Sequence, residues 1–162
     1  MPAPSYDVLY DLEGQLEGPF AAILKANGLA NVYTSRDDDQ IQTPAVVVRA
    51  VVQGLAPNPQ WKMMGTPQRQ IPISFEAMLI AEVITGRRNP DAPQHGAIRG
   101  RVRYLFSAAA NLILSSNFPY LQIVQILPQG GTPKITDDKE LDRSEIHHSV
   151  KFAIRDDAWP AT

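Results

Sequence analysis

The chain has 162 residues, 44% of them hydrophobic and 20% charged, with no cysteine and a formal net charge of −2. Such proportions suit one globular domain over residues 1–162 and exclude a disordered or fibrous chain. They also exclude disulfides, cysteine-ligated metal and a cysteine nucleophile, and the acidic balance weakens a general nucleic-acid binder.

Residues Tyr6 to Asn27 are expected to be helical, because Leu9, Leu12, Leu16, Phe20, Ile23 and Leu24 line one face. Ser5 is a candidate N-cap and Gly28 a candidate stop. Pro19 lacks an amide donor and would clash with the Gln15 carbonyl, so a kink or a break near Gly18 is expected. Ala30 to Tyr33 suits a short strand, and Pro44 to Gln53 a β-branched one. Gly54 to Pro72 holds four prolines and two glycines and is expected to be irregular. Long loops are usually functional or disordered, and this one carries Trp61, Met63 and Met64, candidate interface residues.

Ile71 to Thr85 alternates apolar and other residues with period two, the pattern of a strand with one buried face. Its length suggests that part of it projects beyond the body. His95 to Ser116 is expected to form the second helix, with Ile98, Val102, Leu105, Phe106, Ala109, Leu112 and Ile113 inward. Tyr120 to Leu127 is a strand, Pro128 to Pro133 a turn, Thr136 to Ser144 a polar loop, and Glu145 to Arg155 the last strand. The expected fold is therefore α+β: a mostly antiparallel sheet of about four main strands, two helices on one face, and a long loop or projecting hairpin.

Charge is unevenly spread. Residues 1–40 hold seven acids and two bases, residues 41–110 three acids and eight bases, and residues 111–162 seven acids and five bases. Arg87, Arg88, Arg99, Arg101 and Arg103 form the basic cluster. Few aromatics interleave it, so contact with an acidic partner surface or with passing DNA fits better than base stacking.

Catalytic and cofactor patterns are missing. His147 and His148 are neighbours in a strand and point to opposite faces, so they do not share a metal ion. Asp37–Asp39 and Asp137–Asp138 lack the alternation and glycine of a calcium loop. Glu76 and Glu82 lie on one strand face about 20 Å apart, too far for a glycosidase pair. No serine sits in a nucleophile elbow, and no phosphate loop or dinucleotide fingerprint occurs. Neither a catalytic residue nor a cofactor is expected. No apolar run reaches the ~20 residues of a membrane span. The start of the chain lacks the pattern of a signal peptide, so a cytoplasmic chain with no membrane contact is expected.

The order of elements resembles that of the tail terminator, or tail-completion, proteins of long-tailed bacteriophages. The resemblance is carried by an early helix closing on Ala21–Leu29 and a strand opening Thr43-Pro44-Ala45-Val46-Val47-Val48. A long loop, a long strand and a second helix follow. Phe118-Pro119, a strand, an acidic loop and the strand Glu145–Arg155 end the pattern. It covers most of the chain and rests on order and spacing. It implies a structural virion protein with no active site, forming a hexameric ring at the head-proximal end of the tail tube. The ring would end tube growth and join the tube to the neck or connector protein, close to DNA in the lumen. It would be assembled in the host cytoplasm and reside at the tail–neck junction. A head-completion or neck adaptor protein, a tail-tube-like subunit, and a small cytoplasmic enzyme or ligand-binding domain are the alternatives. An enzyme would carry a deep pocket with converging polar groups.

Overall fold

Asp11 opens the first helix, its carboxylate accepting the Gly14 amide at 3.3 Å. In the computed structural model this helix, α1, spans Leu12–Ala26; the residues described are 11–29, 31–35, 40–57, 73–88, 92–108, 118, 120–137 and 140–154. The expected N-cap Ser5 lies outside them. Leu12, Leu16, Phe20 and Leu24 are buried at successive helical turns. The helix runs through Pro19 as one element, so of the two expectations the break is overturned. Phe20 and Leu24, buried just beyond the proline, hold the second half of the helix on the core, and tertiary packing of the apolar face outweighs one lost hydrogen bond. The end follows the expected chemistry: Gly28 has φ +88°, Gly28 N–H donates to the Lys25 carbonyl and Leu29 N–H to the Leu24 carbonyl, each at 3.2 Å. That is a Schellman closure.

Six strands follow among the described residues: β1 (Val32–Thr34), β2 (Ala45–Pro57), β3 (Ile73–Gly86), β4 (Leu121–Gly131), β5 (Ile135–Thr136) and β6 (Leu141–Ile154). Between β3 and β4 come a short 3₁₀ turn, Ala92–Gln94, and the second helix α2, His95–Ala108. The sheet order is β1-β2-β3-β6-β4, with β5 also paired to β6. All pairings are antiparallel except β1 with β2. The sheet is thus mixed and has six strands where about four were expected. Of the two short strands, β1 falls where a short strand was expected, whereas β5, two residues long, lies in the expected polar loop; both are built of strand-favouring residues.

Three boundaries moved. β2 continues through Gly54 to Pro57 after a register shift at Val52/Gly54, because an irregularity lets a strand absorb a residue that breaks the pattern. β4 continues through Pro128 to Gly131; it is an edge strand, where a missing amide donor costs little. The expected polar loop Thr136–Ser144 supplies β5 and the start of β6, so β6 begins at Leu141 rather than Glu145. Residues 58–72, with Trp61, Met63 and Met64, and residues 109–116 of the expected second helix lie outside the described residues.

The core lies between the helices and one sheet face. Val46, Val48 and Ala50 of β2, Phe75 to Val83 at alternate positions of β3, and Ile146, Val150 and Phe152 of β6 form it with α1 and α2. Phe20 of α1 meets the edge of Phe106 of α2 at 5.2 Å and of Phe118 at 5.8 Å. The second sheet face carries no helix among the described residues.

Candidate functional site

Three places in this fold gather polar chemistry. The first is buried at the start of α2. His95 is the first residue of that helix; its Nδ1 lies 2.8 Å from Thr85 Oγ1 of β3 and its Nε2 2.6 Å from Ser144 Oγ of β6. All three residues are buried. Beside them Asp142 receives the Thr136 hydroxyl at 2.7 Å and faces Lys134 Nζ at 3.6 Å. The Thr136 hydrogen bond, more than any other influence, holds the Asp142 carboxyl below its ordinary range. Burial, with Lys134 and Arg99 nearby, pushes the His95 pKa down. A serine hydrogen-bonded to an imidazole has the look of a nucleophile and its base. Here the far ring nitrogen meets a threonine hydroxyl, not a carboxylate, and the chain of three is sealed from solvent. Its work is to tie the α2 N-terminus to β3 and β6. No pattern along the chain joins His95 to these partners, which lie 10 and 49 residues away. The available signal was that the alternating apolar faces of β3 and β6 turn polar at Thr85 and at Asp142 and Ser144.

The second place is β6 itself. His147 lies on the open sheet face, 3.0 Å from Glu145 Oε1. His148 points into the core, 1% exposed, its ring centre 5.4 Å from that of Phe106 in a T-shaped arrangement. The two rings stand on opposite faces, as strand geometry requires. Neither ring nitrogen of His148 has a hydrogen-bond partner among the described residues. Burial, helped by Arg103 and His147, lowers its pKa to about 4. Among the described residues no group of three or more His, Asp or Glu side chains is placed to hold a metal ion.

The third place is the open sheet face and its flanks. Arg49 of β2 bridges to Glu145 of β6 at 2.8 Å, Arg143 to Glu82 at 3.3 Å, and Lys151 to Glu76 at 3.4 Å. Glu76 and Glu82 are therefore spent on opposite charges of the neighbouring strand. Between these pairs lie Val47, Met78 and Ile80, and Val51 is half exposed. On the β1 side of β2, β1 covers only Val46 to Val48. The Glu17 carboxylate from α1 then accepts the Ala50 amide at 2.9 Å and the Ser35 hydroxyl at 2.7 Å. Beyond Ala50 that edge has no strand beside it among the described residues.

The expected basic cluster separates into three. Arg87 and Arg88 are exposed past the end of β3, and Arg88 lies 4.0 Å from Glu140. Arg101 donates to the Asn27 carbonyl at 2.7 Å and so closes the C-terminus of α1. Arg99 and Arg103 stand one turn apart on the flank of α2 that faces β4 and β5. Arg99 reaches the Thr132 and Glu145 carbonyls at 3.4 Å. Burial, and then the charge of Arg103, lower its pKa.

No helix among the described residues is long and apolar enough to cross a membrane. No family model matches this chain, and no curated protein matches it.

Proposed function

We propose that the chain is a structural subunit that associates with copies of itself into a ring, of the tail-terminator kind, which caps a phage tail tube and receives the neck protein. The observation that carries this reading is the open sheet face. Its ion pairs and half-buried Val47, Met78 and Ile80, together with half-exposed Val51, make a flat, neutral, partly apolar surface, the composition of a protein interface rather than of a substrate cleft. The bare β2 edge beyond Ala50 adds backbone groups able to pair with another chain. The order of elements supports the tail-terminator assignment within that class. In this reading the segment Leu55–Pro72, led by Trp61 with Met63 and Met64, contacts a neighbouring subunit or the tube.

Negative-stain electron microscopy of the concentrated protein tests it. Ring-shaped particles with a central opening are expected. Uniform particles of single-chain size would overturn the reading.

A further inference from the structure

We infer that Asn27–Gly28 is a site of spontaneous deamidation that Arg101 of α2 holds closed; the inference stands apart from whether copies of the chain associate. Asn27–Gly28 is the one Asn-Gly pair in the sequence, and both residues are exposed. The chemistry needs only water and hydroxide. The Gly28 nitrogen loses its proton to hydroxide and attacks Asn27 Cγ, the Cγ–Nδ2 bond breaks, and ammonia leaves. Water then opens the cyclic imide at either carbonyl, to aspartate or to isoaspartate. Glycine in the second position favours ring closure, because no side chain restricts the attacking nitrogen.

The folded chain turns the attacking nitrogen away. Closure requires the Gly28 nitrogen to eclipse the Asn27 side chain about the Cα–C bond, whereas at ψ 21° it stands on the opposite side. The end of α1 keeps it there: the Gly28 amide donates to the Lys25 carbonyl at 3.2 Å, and Asn27 Nδ2, the leaving nitrogen, donates to the Ile23 carbonyl at 2.8 Å. Those bonds lie within one exposed helix end, and helix ends fray. Arg101 ties the same peptide plane to a second element, its Nη2 donating to the Asn27 carbonyl at 2.7 Å; a charged donor makes the stronger bond. The plane that must rotate carries that oxygen at one side and the Gly28 nitrogen at the other. The guanidinium also lies over Gly28, where an added Cβ would stand 3.4 Å from Nη2. Phe106 of α2 packs on Phe20 of α1 at 5.2 Å, so the clamp holds while the two helices stay docked and is withdrawn when they part. The reaction is then one-way. Aspartate removes the donor to Ile23 and puts a negative charge at the negative end of α1. Isoaspartate adds a methylene to the main chain and displaces Gly28 from its closing position. A separation of α1 from α2 is thereby recorded as a permanent loosening of the helix layer.

The test incubates the full chain at mildly alkaline pH and follows Asn27 by peptide mass spectrometry, with isoaspartate and aspartate peptides separated by chromatography. Folded wild type should retain Asn27 while the urea-unfolded chain converts it. Arg101→Ala and Arg101→Gln, with folding certified by circular dichroism, should convert Asn27 roughly tenfold faster than wild type, the factor by which losing a charged hydrogen bond favours local opening. The acceleration should be the same in urea well below the unfolding transition, because a local opening exposes little surface. Folded wild type that converts Asn27 as fast as the unfolded chain overturns the inference. Wild-type rates in both variants overturn the clamp. An acceleration that climbs with urea in step with global unfolding also overturns it, since Arg101 would then act through overall stability.

Discussion

His148 carries a cost that the fold accepts in its core. A histidine lowered to about 4 in the folded chain and near 6.5 in the unfolded one binds fewer protons when folded, so stability falls as pH drops through that interval and levels off below it. The loss from this residue approaches about 3 kcal/mol at the acid end, and His95, lowered in the same direction, steepens it. His148→Leu removes two unpaired ring nitrogens as well as the titration. It is expected to leave stability at pH 7.5 unchanged or higher, and to flatten the fall between pH 6.5 and pH 4.5 in urea unfolding. An unaltered slope would show that His148 is not the source. Glu17 is the opposite case, a buried carboxylate with partners. Glu17→Ala strands the Ala50 amide and is expected to destabilise by about 1–3 kcal/mol, measurable as a lower urea midpoint with unchanged slope. The opposed faces of His147 and His148 were readable along the chain; the role of Glu17 was not, because it looked like one more acid on a helix and its partners lie 18 and 33 residues away.

At the scale of elements, legibility followed periodicity. The alternation in β3 and β6 placed both strands and identified their inward faces, because a period of two leaves one set of residues for the core. The Schellman glycine ended α1 where expected. Gly28→Ala would force a side chain into φ +88° and is expected to cost about 1 kcal/mol, seen as a lower melting temperature. The misjudged breaks in α1, β2 and β4 share one cause. Pro19, Gly54, Pro57 and Pro128 were weighed as breakers by their local chemistry, whereas packing and edge position decided their fate. Gly131 marks a close backbone approach at the end of β4, where a Cβ would collide with the Glu145 carbonyl oxygen. Gly131→Ala is therefore expected to loosen the β4–β6 pairing, read as faster amide exchange at the Gly131 and Ile146 end of that ladder. Equal exchange in variant and wild type would contradict this placement.

For the whole molecule, the class and the one-sided helix layer were legible, and the open second face followed from them. Strand number and the separation of the arginines were not, since both depend on which distant segments become neighbours. Sequence placed Arg87, Arg88, Arg99, Arg101 and Arg103 in one cluster. The fold gives Arg101 to α1, leaves Arg87 and Arg88 past the end of β3, and keeps Arg99 and Arg103 one turn apart on α2. The central claim is that the open face and edges exist for copies of the same chain. Sedimentation equilibrium of the purified protein over a hundredfold range of concentration tests it most directly. The account predicts a closed oligomer at a fixed multiple of the 17.9 kDa chain mass, a hexamer, dissociating on dilution. A mass of one chain across the whole range would contradict it.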